Sequence, residues 1–139
     1  MQTIEMKNIW TNGCFDILHR GHIELFRFCQ EQGDRLVVGV DTDMRVKQSK
    51  GADRPHNTEE DRIFFLESIR YIDKVVSFSS DEELALRLIE NNIDTMIVGS
   101  DWRGKKIVGE EKVREVIFFD RVGEYSTTNI LEAHNGLRV

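Results

Sequence analysis

The sequence predicts an α/β fold, three layers deep (α/β/α), built on a five-stranded parallel sheet. Three observations predict it. Runs such as Arg35-Leu-Val-Val-Gly-Val-Asp41 and Thr95-Met-Ile-Val-Gly99 are short and almost continuously apolar, the composition of strands buried on both faces. They alternate with segments whose apolar residues recur at helical spacing, which is the element order of a sheet covered by helices. The connections are mostly short, as right-handed crossovers between parallel strands require.

Taken in order, Met1 to Met6 is a polar lead-in, and Lys7 to Thr11 reads as the first strand, with Gly13 at a turn after it. His22 to Gln32 reads as the first helix, with Leu25, Phe28 and Cys29 at helical spacing and Gly33 as its stop. Arg35 to Asp41 is the second strand. Thr42 to Asn57 is polar, carries Lys47, Lys50, Gly51 and the only proline, Pro55, and reads as a long loop of the kind that is often functional. Thr58 is a good N-cap, followed by Glu59, Glu60 and Asp61, which suit the positive end of a helix. Ile63, Phe64, Leu66 and Ile69 supply that helix with a buried face. Lys74 to Phe78 is the third strand. Ser80 and Glu83 have capping-box spacing and open a third helix that runs to about Asn91. Thr95 to Gly99 is the fourth strand, Asp101 to Lys106 a polar loop, and Glu115 to Phe119 the fifth strand. Ser126-Thr127-Thr128 then caps a final short helix.

Composition narrows the function classes. The 139 residues read as a single domain, 1–139, long enough to bury its own core. A net charge of -6 argues against nucleic acid as a partner, because such domains carry a basic face. There is no apolar run of about 18 residues and no signal-peptide pattern, so the expectation is a cytoplasmic protein without a membrane partner. Cys14 and Cys29 read as free thiols.

Ligands of parallel α/β sheets sit outside the carboxyl ends of the strands. The unusual residues of this chain fall there: Gly13 to His22, Asp41, Gly99 to Lys105, and Arg121 to Thr128. The central stretch is Trp10 to His22, WTNGCFDILHRGH. A strand that ends in a tight turn before a helix start offers free backbone N–H groups and a positive helix dipole, which suits phosphate. Gly21 lets a ligand approach the backbone, and His19 and His22 can donate hydrogen bonds to charge growing on a phosphate oxygen. Two histidines three apart could instead be half of a metal site, but no third cluster of ligands accompanies them.

Asn12-Gly13-Cys14-Phe15-Asp16 followed by His19-Arg20-Gly21-His22 resembles the signature of the cytidylyltransferase-like nucleotidyltransferases, whose usual form is G-T-F-D-x-x-H-x-G-H. The resemblance implies a Rossmann-like fold of the HxGH type. It also implies a reaction: a nucleoside monophosphate passes from an NTP, with Mg²⁺, to a phosphorylated small molecule, and pyrophosphate leaves. It implies a homodimer as well. On this resemblance His19 and His22 stabilise the α-phosphate, and a lysine, Lys47 or else Lys50, neutralises the leaving pyrophosphate. Arg121 sits on the phosphates, while Ser126, Thr127 and Thr128 grip them. Asn12, Gly13, Cys14, Phe15, Asp16, Gly21, Gly99 and Asp101 border the nucleotide, Arg62 holds a phosphate by a forked contact, and Trp102 stacks or closes over the ligand. Blander readings stand beside these. His22 can be a helix cap, either lysine a solvated residue, Arg62 a surface ion pair and Trp102 a core plug. Asp41 can meet a ribose hydroxyl or Mg²⁺, or simply end its strand.

The resemblance divides over base and acceptor. Thr11 to His19 and Lys50-Gly51-Ala52-Asp53-Arg54-Pro55 are similar to the heptose-1-phosphate adenylyltransferases. Ile69 to Asp73, Asn92-Ile93-Asp94, Asp101 to Lys105 and Arg121 are similar to the glycerol-3-phosphate cytidylyltransferases. The expectation drawn from these is CTP with a small polyol or sugar phosphate such as glycerol-3-phosphate, with ATP and heptose-1-phosphate as the alternative. A nucleotide-binding sensor module without turnover is the reading from another class. A dinucleotide site would need a G-x-G-x-x-G turn, which the chain lacks.

Overall fold

The computed structural model describes residues 6–121. Five strands, β1 (Asn8–Gly13), β2 (Arg35–Asp41), β3 (Lys74–Phe78), β4 (Thr95–Gly99) and β5 (Glu115–Phe119), form one parallel sheet in the order β3-β2-β1-β4-β5. Among the described residues four α-helices accompany it: α1 (Arg20–Glu31), α2 (Asp43–Lys50), α3 (Glu59–Glu67) and α4 (Asp81–Glu90). The chain builds outward from β1 through β2 to β3, then returns to place β4 on the other side of β1. That reversal makes the β1/β4 border the switch point at which such sheets bind ligands.

Two apolar cores lie on the two faces of the sheet, which is why its strands read as continuous apolar runs. Ile9, Leu36, Val38, Val40 and Ile97 pack with Phe15, Phe26, Cys29 and Leu66 on one face. Trp10, Val37 and Met96 pack with Phe78, Leu84, Leu88 and Ile93 on the other. Trp10 fits because Gly39, two residues beyond its β2 partner Val37, has no side chain: an added Cβ there would lie 2.3 Å from the indole ring.

Expected and observed elements differ at four places. β1 runs on through Asn12 and Gly13, so Gly13 ends a strand and the turn follows it. Helix α1 begins at Arg20, with His19 as its N-cap. The stretch read as a long loop contains α2, capped by Thr42, whose hydroxyl accepts the Arg45 N–H at 3.3 Å, and stopped at Gly51, where φ is +106°. Phe64, expected in the buried face of α3, is 67% exposed, and Phe65 beside it is also exposed. The α3 segment has apolar residues all round, and only Leu66 and the positively charged Arg62 are fully enclosed. The final helix expected at Ser126 lies outside the described residues.

Candidate active site

The site is assembled by the turn between β1 and α1. Asn12 is fixed at the end of β1, where its Oδ1 accepts the Trp10 indole N–H at 2.9 Å. Gly13 has no side chain where the Phe15 ring lies, and a Cβ there would meet the ring at 3.1 Å. Phe15 takes a left-handed backbone (φ 51°), costly for an aromatic residue, and this swings its ring beneath the helix start. The ring meets His22 edge-on at 5.4 Å and Phe26 at 5.2 Å.

Helix α1 then presents the two histidines. His19 precedes the helix in extended conformation, Gly21 is its second residue and His22 its third. The His19 backbone N–H donates to His22 Nδ1 at 3.2 Å. This contact fixes the tautomer: Nδ1 is the acceptor, so neutral His22 carries its proton on Nε2 and can only donate from there. The two imidazoles stack with centroids 3.8 Å apart. Burial, followed by the charges of His19, Lys50 and Arg121, pushes the His22 pKa down to about 3. Burial and Arg121 lower that of His19 as well. Both rings are therefore neutral at physiological pH. Helix capping and ligand contact are compatible at His22, because the cap uses Nδ1 alone.

The cations around this pair come from both sides of the sheet. Lys50, at the end of α2, acts electrostatically on His22, Cys14 and Asp41. Lys47, the lysine preferred from sequence, lies one turn earlier on α2, and both lysines are exposed. Arg121 follows β5, acts on both histidines, and pairs with Asp101 at 2.9 Å. Asp101 and Trp102 belong to a single 3-10 turn that Gly99 caps after β4. Trp102 is 49% exposed, with Lys105 Nζ 5.9 Å from its ring centroid, so it does not plug the core and remains free to stack on a base.

Four residues expected to touch ligand, Arg62, Asp16, Asp41 and Cys14, are engaged by the protein itself. Arg62 is fully buried: its Nε donates to the Asn57 carbonyl, its Nη1 to the carbonyls of Cys14 and Asp41, and its Nη2 to Asp43 at 2.7 Å. The forked phosphate contact is thus replaced by a fork that ties α3 to the ends of β1 and β2. The Asp16 side chain is also enclosed, and accepts from Arg54 Nε, the His56 N–H and the Asn57 N–H at 3.2, 2.7 and 2.8 Å. Burial alone would raise its pKa, but the backbone donors of Asn57 and His56, with Arg54, outweigh it and hold the carboxylate ionised. Asp41 accepts from Arg45 Nε at 2.9 Å, and burial, only partly offset by Arg45, Lys50 and Arg62, raises its pKa. Cys14 is buried, and desolvation raises its pKa, so it is a packing thiol rather than a nucleophile.

Among the described residues no three His, Cys, Asp or Glu side chains converge as a metal site. Asp41, the one expected metal ligand, already pairs with Arg45 at 2.9 Å. The described residues do not by themselves form a cage for Mg²⁺. Ser126, Thr127 and Thr128 lie outside the described residues. Sequence reasoning missed Arg54, His56 and Asn57, whose importance comes from their contacts with Asp16; the only signal was that Arg54 lies in the Lys50–Pro55 stretch. No helix among the described residues is long and apolar enough to cross a membrane.

The profile of the family described as Cytidylyltransferase-like matches residues 10–133. The chain is similar to the bifunctional protein HldE of Campylobacter fetus subsp. fetus, 46% identical over 129 residues that make up 92% of this chain and 28% of the relative. It is similar also to the bifunctional protein HldE of Helicobacter hepaticus, 39% identical over 93% of this chain and 27% of the relative. It thus spans little more than a quarter of the length of either relative. Among solved structures, a lipopolysaccharide core biosynthesis protein from Thermoplasma volcanium shares the fold, with a TM-score of 0.67 and 22% identity, over 88% of this chain and all of that one. A bifunctional NMN adenylyltransferase/ADP ribose pyrophosphatase from Francisella tularensis shares it over 95% of this chain and 42% of that one, with a TM-score of 0.64 and 13% identity.

Proposed function

The chain belongs to the cytidylyltransferase-like family of nucleotidyltransferases, and on that premise we propose that it transfers AMP from ATP to heptose-1-phosphate. The observation that carries the transfer reaction is the His19–His22 stack at the start of α1, with its tautomer fixed by the protein's own backbone. A phosphate oxygen of the acceptor attacks the α-phosphorus of the nucleotide, one P–O bond forms as the bond to the β-phosphate bridge breaks, and pyrophosphate carries away the electron pair. The acceptor is already an anion, so no base and no covalent enzyme intermediate are required. What the reaction needs is orientation and relief of charge. His22 Nε2–H donates to an α-phosphate oxygen, and the negative charge growing on that oxygen strengthens this bond in the transition state. Lys50 and Arg121 approach from opposite sides to balance the departing pyrophosphate. Mg²⁺ would travel with the triphosphate, held by its phosphate oxygens and water, and would reduce its charge.

Base and acceptor follow from two supports. The stretches similar to heptose-1-phosphate adenylyltransferases, Thr11 to His19 and Lys50 to Pro55, touch each other in the fold through Asp16 and Arg54. The relatives named bifunctional protein HldE match over most of the chain, and we read the shared segment as their heptose-1-phosphate adenylyltransferase portion. CTP and glycerol-3-phosphate, supported by Ile69 to Asp73, Asn92-Ile93-Asp94, Asp101 to Lys105 and Arg121, become the second reading.

The test is pyrophosphate release with Mg²⁺, crossing ATP and CTP against heptose-1-phosphate and glycerol-3-phosphate. Release with ATP and heptose-1-phosphate alone is expected, and release with CTP would return the chain to the cytidylyltransferase reading. Replacing both His19 and His22 by Ala should lower turnover by at least about a hundredfold, the scale of losing transition-state hydrogen bonds. An unchanged rate in a folded double variant would remove the mechanism.

A further inference from the structure

Arg54 carries an unfinished contact. Its Nε donates to the enclosed carboxylate of Asp16 at 3.2 Å, and its side chain is only 16% exposed. Its Nη2 is buried, yet among the described residues it has no hydrogen-bond partner. An unmet buried donor on a charged group is costly, and such groups in native folds have a reason. The segment is not loosely placed: the His56 and Asn57 N–H groups bond the same carboxylate, and Asn57 Nδ2 donates to the Asp16 carbonyl at 2.7 Å. Asp16 lies three residues before His19, so the pinned guanidinium borders the turn that presents the histidines.

Position decides which anion Arg54 meets. Asp101, Trp102 and Arg121 follow β4 and β5, on one side of β1, and Arg121 acts on both histidines. Arg54 lies between α2 and α3, in the connection from β2 to β3 on the other side, and appears among the electrostatic influences on Asp16 alone. Lys50, four residues earlier in the same connection, acts on His22 and with Arg121 serves the nucleotide phosphates, whereas Arg54 is absent from the influences on either histidine and is the cation of this connection left for the second substrate.

We propose that Arg54, oriented by Asp16, binds the phosphate group of the phosphorylated acceptor and so sets which small molecules enter. The inference rests on the proposed transfer reaction for its ligand, but it is tested by binding, which needs no turnover. Heptose-1-phosphate and a non-hydrolysable ATP analogue are titrated separately into the wild type, Arg54→Gln and Arg54→Lys, with thermal unfolding run on each. Arg54→Gln should weaken heptose-1-phosphate binding by about ten- to a hundredfold and change the ATP analogue less than threefold. Arg54→Lys should recover part of the loss, because it keeps the charge without the fork. Parallel weakening of both ligands would assign Arg54 to the nucleotide phosphates and overturn the proposal. Unchanged binding of the sugar phosphate in a folded variant, or no sugar phosphate binding to the wild type, would overturn it too. If pyrophosphate release fails while the binding difference holds, the transfer reaction falls and the phosphate site stands.

Discussion

His22 is where single-residue chemistry has the clearest consequence. Its folded pKa of about 3 lies far below the ordinary histidine value of 6.5, so between those limits the unfolded chain binds a proton that the folded chain refuses. Stability contributed by keeping this ring neutral is complete above pH 6.5 and is lost as pH falls towards 3, with a limiting slope of about 1.4 kcal/mol per pH unit. His22→Asn retains an acceptor for the His19 N–H but has no proton to gain. Denaturant unfolding from pH 6.5 to 5, where most carboxylates remain ionised, should therefore show the wild type losing stability relative to His22→Asn. Parallel curves would mean that His22 is not held neutral by the fold. In the proposed reaction the same shift keeps His22 neutral, with Nδ1 accepting from the His19 N–H and the proton on Nε2, across the neutral range.

Between elements, the decisive tie is Arg62. One guanidinium joins α3 to the carbonyls that end β1 and β2 and to Asp43 at the start of α2. Replacing it by Met leaves the Cys14 and Asp41 carbonyls and the partly exposed Asp43 carboxylate without their donor and should destabilise the fold by roughly 3 kcal/mol, the scale of losing several hydrogen bonds to a buried cation. Equilibrium unfolding checks this, and a loss under about 1 kcal/mol would show that water or rearrangement satisfies the carbonyls. Arg62 also shows what the sequence could reveal. Strands β2 to β5 matched their expected ranges because apolar runs bounded by polar residues are local signals. The Thr58 and Ser80 caps matched for the same reason. Helix α2 escaped because only Val46 is buried, so it carries no apolar stripe, although Thr42 and Gly51 mark its two ends. The role of Arg62 escaped because three of its partners are main-chain carbonyls far apart in sequence. The histidine pair was legible as a motif, but its tautomer and stacking were not, since both depend on the left-handed turn at Phe15.

Across the whole molecule, the groups proposed to meet the nucleotide come from separate connections at one edge of the sheet: the β1–α1 turn, the end of α2, the turn after β4 and Arg121 after β5. A ligand that bridges them binds the folded chain and has no counterpart site in the unfolded one, so it must stabilise the whole domain by mass action. At a hundred times its Kd the gain is about 2.7 kcal/mol. For a chain of this length, that corresponds to a rise in Tm of roughly 9 °C, taking ~2 cal/mol/K of unfolding entropy per residue. Most of the positioned groups address phosphate rather than base, so adenosine at the same concentration should raise Tm by no more than about 2 °C, well below the shift with ATP. ATP should exceed CTP if the adenylyl reading holds, and the His19→Ala/His22→Ala variant should lose much of the ATP shift while keeping its unliganded Tm within a few degrees. Equal shifts from adenosine and ATP would show that recognition lies in the base, at Trp102 and its turn, and that the convergence of histidine, lysine and arginine at the sheet edge does not bind the triphosphate.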